Sequence, residues 1–572
     1  MRFAGMALVL VLISGAARAQ TLAPEMAKQV DKVFAKWDRA DSPGCALGVY
    51  QGGQIAYKRG YGMEDLNEDV HITPGTVFHV ASMSKQFTAA SIVLLAQEGK
   101  LSLDDDVRKY IPELPDFGQK ITIRNLVHHT SGLRDQWALL GLAGWRYSQD
   151  LITNDDVMSV MTRQKELNFK PGERHVYCNT GYTLMGLVVK RVSEMSLREF
   201  TTKNIFEPLG MTHTHFRDDH AEIIKHDAVG YEQEPGKPFE ISITNFDTVG
   251  ATSLHTTVED LQKWDENFYH PKVGGEAFVQ QMLERGKLNN GEQLDYAFGL
   301  VLEKYKGLPT VGHGGADAGY RSDMTRFPEQ HFSVAVLCNS AEANPGTLVN
   351  QVADIVLAKE IKAAEAATPA KEAVAKSAGA AAVPVVLTTE QMAGFTGLYW
   401  NREDDAFVKI SAGGGKLKAE VGFDDEPLML KPFAESRFHI ADKPWGDQVE
   451  IHFVMPSGEK PRRMEQSFGG GKPSVFEMVE PFSPSSAQLA EYAGAYVSEE
   501  IDPVYRLVLE GDKLSLTRLK HKADTLQPAV RDVFTGQIGT VRFTRDPGNE
   551  HVSGFVLNAG RIQNFHFAKR AN

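Results

Sequence analysis

An internal repeat in the last third of the chain constrains the fold more than any other feature of the sequence. The segment TEQMAGFTGLY, from Thr389 to Tyr399, aligns with SAQLAEYAGAY, from Ser486 to Tyr496, at an offset of 97 residues. At the same offset, Lys416-Leu417 falls on Lys513-Leu514 without a gap. Several matches in one register indicate a duplicated unit. Each copy has short alternating runs, such as KLSLTRL, between Gly, Asp and Pro turns, which predicts a small antiparallel barrel or sandwich per copy.

An alanine-rich segment separates this repeat from the rest of the chain. Residues 362–384 contain no aromatic residue and are interrupted by Pro369, Gly379 and Pro384. Such a segment buries little apolar surface and is typical of a linker. Because 572 residues exceed one ordinary core, we predict a first domain over residues 20–360, a linker over 361–384, and two β domains over 385–482 and 483–572.

The N-terminus has the three parts of a secretory signal. Arg2 precedes an apolar run from Met6 to Ile13, and Ala17-Arg18-Ala19 is a small-residue cleavage site. The run is shorter than the roughly 20 apolar residues of a membrane anchor. We therefore predict that residues 1–19 are removed near Ala19 and that the mature protein, without a membrane span, is periplasmic or secreted. The net charge of -13 disfavours binding to nucleic acid or to anionic membranes.

The cysteines are few and odd in number. Cys45, Cys178 and Cys338 do not suggest a disulfide framework. We expect three small buried hydrophobic residues. Cys178 lies within a motif described below, so its thiol is a candidate reactive group.

The first domain mixes helix and strand patterns. Apolar positions from Phe87 to Leu95 recur every three or four residues, which predicts a helix that ends at Gly99. Residues 45–59 read as two strands joined at Gly52-Gly53, and residues 331–339 as another strand. These patterns favour an α+β domain in which an antiparallel sheet is flanked by helices.

The sharpest chemical signal is Ser82-Met83-Ser84-Lys85, at the start of that helix. Positions three apart lie on one helix face, so the Ser82 hydroxyl and the Lys85 amine can meet. The helix N-terminus and partial burial would both lower the pKa of Lys85 and make a neutral amine available as a base. Taken alone, however, S-x-x-K is common by chance, and on this tetrapeptide alone a capping Ser with a solvated Lys is the favoured interpretation.

Two further segments change that balance. Tyr177-Cys178-Asn179 precedes the apolar helix pattern GYTLMGLVV, and His313-Gly314-Gly315 precedes Ala316 in a glycine-rich stretch where a substrate could approach the backbone. Each segment has an ordinary structural alternative, such as a core tyrosine or a turn histidine. The order Ser-x-x-Lys, Tyr-x-Asn, His-x-Gly nevertheless favours one active site assembled from all three.

With these motifs the chain resembles the penicillin-recognising serine hydrolases, the group that contains class C β-lactamases, D-Ala-D-Ala carboxypeptidases, D-aminopeptidases and related esterases. The resemblance covers roughly residues 25–360 and includes ITIRNLVHHTSGL from Ile121, IFEPLGMTHT from Ile205 and YAFGL from Tyr296. It implies a β-lactamase/transpeptidase-like fold for the first domain. The two β domains resemble the lipocalin-like barrels that D-aminopeptidases of this group carry.

The resemblance also implies roles for individual residues. Ser82 would be the nucleophile, Lys85 its partner in deprotonation, and Tyr177 a proton shuttle, with a phenolate stabilised by Lys85 as one form. Asn179 would hold the substrate amide, and Gly315 would keep the strand edge open. His313 replaces the Lys of β-lactamases, which favours a peptidase or esterase, and Cys178 stands where Ser is usual. The backbone N–H groups of Ser82 and Ala316 would form the oxyanion hole.

The expected function is therefore hydrolysis of a small amide or ester through an acyl-enzyme, with no metal or cofactor. D-amino-acid-containing peptides are the favoured substrates, and an esterase or a weak β-lactamase is the alternative within the family. A penicillin-sensing or peptidoglycan-binding protein without efficient turnover is the alternative from another class, and a homodimer is left open. The chain lacks G-x-S-x-G and H-E-x-x-H motifs, and we interpret His128, His129, His213 and His215 as packing or loop residues.

Overall fold

The computed structural model describes residues 21–367 and 387–571, apart from 422–426, 442, 444–445, 457–460, 469–471 and 549–550. The predicted signal peptide and most of the predicted linker lie outside the described residues. None of the helices in these ranges combines the length and apolar composition that crossing a bilayer requires.

A six-stranded antiparallel sheet forms the centre of the first domain, in the order β10-β11-β12-β13-β1-β2. Gly52 and Gly53 have positive φ angles of 54° and 75° and close the predicted β1–β2 hairpin. The predicted strand at residues 331–339 is β13, which pairs with β1. The strands of this domain are β1 Cys45–Gln51, β2 Gln54–Tyr61, β3 Met63–Asp65, β4 Val70–His71, β5 Phe78–His79, β6 His215–Phe216, β7 Tyr231–Glu232, β8 Glu240–Ile241, β9 Leu254–Thr256, β10 Val301–Tyr305, β11 Leu308–Asp317, β12 Tyr320–Phe327 and β13 Phe332–Cys338.

Helices cover both faces of the sheet. The residues of β13 are buried along its whole length, which requires protein on each side. On one face, Val30 of α1 and Val349 of α11 join the core of β1 and β13. Helices α2 and α6 pack in the main core of the domain. The α-helices within the described residues are α1 Pro24–Val33, α2 Lys85–Gln97, α3 Ile123–Val127, α4 Gln136–Leu142, α5 Asn154–Met161, α6 Asn179–Ser193, α7 Leu197–Thr201, α8 Glu207–Leu209, α9 Val258–Glu266, α10 Gly275–Met282, α11 Pro345–Val356, α12 Ala358–Ala367, α13 Thr389–Ala393 and α14 Ser486–Ala490.

The expectation that all three cysteines are separate buried hydrophobic residues is wrong for two of them. Cys45 and Cys338 lie directly opposite each other on β1 and β13 and form a disulfide across 293 residues of chain. They are therefore not two independent hydrophobic residues. Pairing of the first and last strands of the domain brings them together, and a crosslink over a long loop stabilises a domain by about 2–4 kcal/mol. Cys178 is free and buried, as expected.

The repeat folds into two closed eight-stranded antiparallel barrels, which confirms the predicted duplication. Each copy opens with a capped helix, α13 or α14. The aligned tyrosines make the same hydrogen bond, from Tyr399 to the Phe395 carbonyl at 2.8 Å and from Tyr496 to the Tyr492 carbonyl at 2.7 Å. The strands are β14 Gly397–Asn401, β15 Ala406–Gly413, β16 Lys416–Val421, β17 Leu428–Ala434, β18 Arg437–Ile440, β19 Val449–Val454, β20 Arg463–Phe468 and β21 Ser474–Val479 in the first barrel, and β22 Gly494–Val497, β23 Tyr505–Glu510, β24 Lys513–Thr517, β25 Asp524–Val530, β26 Val533–Gly536, β27 Gly539–Arg545, β28 Val552–Ala559 and β29 Ile562–Lys569 in the second.

The second barrel docks on the first domain through a buried ion pair. Arg134 Nη1 lies 2.5 Å from Glu500 Oε2, and the two side chains are 0% and 4% exposed. The same guanidinium donates to the Asn564 carbonyl at 2.8 Å. Losing one partner of such a pair costs about 3–5 kcal/mol, because the other charge remains buried. This contact holds strand β29 against the loop that leads into α4 of the first domain.

Candidate active site

Ser82 lies in a short 3₁₀ turn, Ala81–Ser84, that leads directly into α2. Ala81 has a φ of 48°, a left-handed conformation that is strained for a residue with a Cβ. The Ser84 hydroxyl holds the turn, because it donates to the Ala81 carbonyl at 2.5 Å and accepts from the Leu254 N–H at 3.0 Å. The other residues of the turn are buried, whereas Ser82 is partly exposed. The turn thus presents the Ser82 hydroxyl to solvent.

Lys85 is buried behind Ser82 with all of its donors used. Its Nζ donates to Ser82 Oγ at 3.0 Å, to Asn179 Oδ1 at 2.9 Å and to the Ala251 carbonyl at 2.7 Å. Burial is the main cause that lowers its pKa to about 7, although the nearby Asp135 opposes the shift. The three donated hydrogen bonds belong to the ammonium form. Near neutral pH a large fraction of Lys85 is instead a neutral amine, which keeps two N–H donors for Asn179 and Ala251 and has a lone pair to accept the Ser82 proton.

Tyr177 places a neutral phenol next to this pair. The Lys85 Nζ lies 4.8 Å from the centre of its ring. Burial raises the pKa of the phenol above its usual value, and the neighbouring Ser82 hydroxyl offsets only part of that shift. The phenolate that the family resemblance allows is thus disfavoured in the free protein. Among the described residues, the hydroxyl has no hydrogen-bond partner of good geometry, so a bound substrate or water can accept its proton.

Asn179 begins α6 and connects Lys85 to a carboxylate. Its Oδ1 accepts from Lys85, while its backbone N–H and its Nδ2 donate to Asp135 Oδ2 at 2.7 and 2.9 Å. The family resemblance implies that this carboxamide holds the substrate, and that role stays a prediction. In the structure the carboxamide also orients Lys85, and Asp135 orients it in turn. Asp135 was not among the predicted residues. Its sequence signal is the helix cap that it forms for α4, where it accepts from the Trp137 N–H.

His313 lies on β11 near Tyr177, with 6.3 Å between the ring centres. Its Nδ1 lies 2.6 Å from the Gly314 carbonyl, and its Nε2 lies 3.1 Å from the Tyr296 hydroxyl. Donation from Nδ1–H to the carbonyl leaves Nε2 to accept from Tyr296. Burial, together with the charge of Lys85, lowers the pKa of His313 to about 4. At neutral pH this position therefore carries a neutral imidazole.

Gly315 lets β11 approach the Ala81–Ser84 turn closely. A Cβ at this position would lie 2.3 Å from the Val80 carbonyl oxygen and 3.0 Å from the Ser82 nitrogen. Strand β10 pairs with residues 308–312 of β11 and no further. The edge of β11 from His313 onward is therefore unpaired on that side within the described residues, and Ala316 on this edge is exposed.

Cys178 does not behave as the reactive thiol that its place in the motif suggested. It is buried and its Sγ lies 3.3 Å from the Leu133 carbonyl oxygen. Burial raises the pKa of the thiol to about 12, with a further contribution from Asp135. The thiol stays protonated at physiological pH, so the residue packs in the core and supplies no nucleophile.

A residue of the second barrel, Arg561, also reaches this site. Its guanidinium carbon lies 4.9 Å from the centre of the Tyr177 ring, and its Nη1 lies 3.7 Å from Asp135 Oδ2. Arg561 was not predicted from the sequence, because no local motif marks it and it lies 479 residues from Ser82.

The chain is similar to several known proteins. Residues 26–358 match the family model described as Beta-lactamase. Penicillin-binding protein 4* of Bacillus subtilis (strain 168) is 32% identical over 306 residues, which are 51% of this chain and 67% of that protein. Protein flp of Staphylococcus aureus (strain N315) is 31% identical over 325 residues, 54% of this chain. The match spans 63% of that relative's length, less than two thirds of it. The octameric penicillin-binding protein homologue from Pyrococcus abyssi superposes with a TM-score of 0.54 at 22% identity, covering 79% of this chain and 99% of that chain, which shows a shared fold.

Proposed function

Because the chain belongs to the beta-lactamase family of serine hydrolases, we propose that it is an exported hydrolase whose Ser82 forms an acyl-enzyme with a small amide or ester. The observation that carries this proposal is the 3.0 Å hydrogen bond between Lys85 Nζ and Ser82 Oγ in a buried setting that favours the neutral amine. A serine hydroxyl is a weak nucleophile until an adjacent base removes its proton.

The proposed reaction has two halves. Lys85 takes the Ser82 proton while Oγ bonds to the substrate carbonyl carbon, and the carbonyl oxygen becomes an oxyanion facing the Ser82 and Ala316 N–H groups. The carbon–leaving-group bond then breaks as the leaving group receives a proton. Water attacks the resulting ester, Oγ regains a proton, and the free acid leaves.

Tyr177 is the proposed proton donor to the leaving group. Burial keeps the phenol protonated, and its hydroxyl lacks a partner within the described residues, so its proton is available. Lys85, close to the Tyr177 ring, can reprotonate it with the proton taken from Ser82. A positioned acid of this kind contributes about 10²–10⁴-fold.

For the substrate we propose peptides that contain D-amino acids, with D-aminopeptidase or D-Ala-D-Ala carboxypeptidase activity. The support is the arrangement of a family catalytic domain followed by two barrels, which resembles D-aminopeptidases. Export is supported by the N-terminal signal pattern and by the Cys45–Cys338 disulfide, since such bonds persist in oxidising compartments.

A substrate panel with intact-protein mass spectrometry tests this proposal. We expect turnover of at least one D-aminoacyl 4-nitroanilide, with weaker turnover of short 4-nitrophenyl esters and nitrocefin. A fluorophosphonate should label Ser82, and a β-lactam should give a transient adduct there. A permanent β-lactam adduct without turnover would instead support a penicillin-sensing protein, and the absence of any adduct would contradict both functions.

The pH dependence of kcat/KM reports which group is the base. With an uncharged substrate we expect kcat/KM to rise about tenfold per pH unit up to about pH 7 and then to level off, because only neutral Lys85 accepts the proton. His313, with a pKa of about 4, stays neutral over this range. If a Tyr177 phenolate were the base, the rise would continue beyond pH 10, since burial raises that pKa. Initial rates from pH 5 to 10 distinguish the two profiles.

A further inference from the structure

We propose that Arg561 of the second barrel is a specificity-determining residue that binds a carboxylate of the substrate beside Ser82. The proposal rests on the proposed hydrolase function and adds a substrate class to it. It makes the second barrel part of the active site, so that the site is incomplete in the first domain alone.

The hairpin that carries Arg561 is pinned by its backbone. Ala559 pairs with Ile562 across the β28–β29 turn, and Gly560 between them has a φ of 56°. The Arg561 carbonyl accepts from Asn168 Nδ2 at 2.9 Å, and Asn168 Oδ1 accepts from the Gln563 N–H at 2.8 Å. Backbone groups of the barrel thus make these docking contacts. The Arg561 side chain is left for another role.

The N–H donors of the Arg561 guanidinium are available to a ligand. Its side chain is 47% exposed, and its Nη1 is 3.7 Å from Asp135, beyond a normal hydrogen bond. Asp135 already accepts from Asn179 twice and from the Trp137 N–H. Among the described residues, no group accepts a hydrogen bond from this guanidinium. A carboxylate is the group that its planar fork of N–H donors fits best, in a bidentate pair.

The Arg561 guanidinium lies close to the residues that are proposed to carry the reaction. The guanidinium carbon lies 4.9 Å from the centre of the Tyr177 ring, and Lys85 Nζ lies 4.8 Å from the centre of the same ring. A substrate group that contacts Arg561 is therefore next to Ser82. The carboxylates nearest to Lys85 already have partners, since Asp135 is engaged as above and Asp317 bonds to His79 and Thr252. Neither of these two carboxylates would therefore be without a partner when an anionic substrate group binds.

Matched substrates test this inference. D-glutamyl and D-glutaminyl 4-nitroanilide differ only in a carboxylate or carboxamide on the acyl side, and acetyl-D-alanyl-D-alanine and its C-terminal amide differ in the same way on the leaving-group side. In one of these pairs, we expect Arg561→Gln to lower kcat/KM for the carboxylate member by about 10- to 100-fold, the value of a charge-assisted hydrogen bond. The carboxamide member should change less than about threefold. Arg561→Lys should recover part of the loss.

Controls separate this inference from a structural effect and from the proposed function. Arg163→Gln removes an arginine that pairs with Asp502 across the same barrel interface, and it should affect both members of each pair equally. Equal losses for both members with Arg561→Gln, or no loss in either pair, would overturn the assignment. If the wild-type protein hydrolyses none of these compounds, the proposed function fails. Calorimetric binding of D-glutamate to Ser82→Ala, with and without Arg561→Gln, then decides on Arg561 by itself, and equal affinities would refute it.

Discussion

Replacing Ser82 by alanine is expected to lower kcat/KM by at least about 10⁴-fold on every substrate that the wild-type protein hydrolyses. Loss of a catalytic serine in serine hydrolases commonly costs more than this, because no other group in the site can form the covalent intermediate. Cys178 cannot replace it, since its thiol is buried and its pKa is raised. Steady-state kinetics on the best substrate of the panel, with loss of fluorophosphonate labelling, measures the effect.

A matched serine on the same helix serves as the control. Ser91 is buried in α2 and donates to the Phe87 carbonyl at 2.8 Å, away from Lys85. Ser91→Ala should keep wild-type labelling and turnover. Full activity of Ser82→Ala on every substrate would show that the nucleophile is another residue.

Lys85→Met should have opposite effects on activity and on stability. We expect kcat/KM to fall by about 10³-fold, within the range of a lost general base. The folded-state pKa of about 7 lies below the usual lysine value of about 10.4. The unfolded chain therefore binds more protons between these pH values, and the free energy of unfolding of the wild-type protein rises with pH there. Below pH 7 the full cost of burying the charge is present.

The variant removes this cost, so its stability relative to wild type should depend on pH. At about 1.36 kcal/mol per pKa unit, the relative free energy of unfolding should be more favourable at pH 6 than at pH 10 by on the order of 3 kcal/mol. The variant also loses the hydrogen bonds to Asn179 and Ala251. This loss lowers the free energy of unfolding by the same amount at pH 6 and at pH 10, so the difference between the two pH values still reports the pKa of Lys85. Urea unfolding at pH 6, 8 and 10 measures it, with the exposed Lys190→Met as the control. If the free energy of unfolding of the variant relative to wild type did not change with pH, burial would not lower the pKa of Lys85.

Much of the site could be predicted because its signals are local. The turn at Ser82-Met83-Ser84-Lys85 and the helix after it lie within one short segment, and the structure places Lys85 Nζ 3.0 Å from Ser82 Oγ as the spacing suggests. The Gly52-Gly53 hairpin is local in the same sense. The duplicated barrels were also recognisable, since aligned positions such as Tyr399 and Tyr496 repeat the same contact.

The parts that sequence analysis missed depend on contacts between distant segments. Cys45 and Cys338 were interpreted as separate residues, because only the pairing of β1 with β13 makes them neighbours. The bonds of Asn179 to Lys85 and Asp135 were not predicted, because they depend on three separate helices meeting. Its expected contact with the substrate stays a prediction. For the same reason Asp135 was not considered.

The sequence by itself determined the turn at Ser82, the order of the motifs and the repeated β domains, since these follow from spacings of a few residues or from a direct comparison of the chain with itself. Only the tertiary structure decided the disulfide, the path from Asp135 through Asn179 to Lys85, and the arrival of Arg561 at the Tyr177 ring. The physical reason is that burial, the pKa of Lys85 and the charge around Ser82 depend on which distant surfaces pack together, and strand order and barrel docking set that packing.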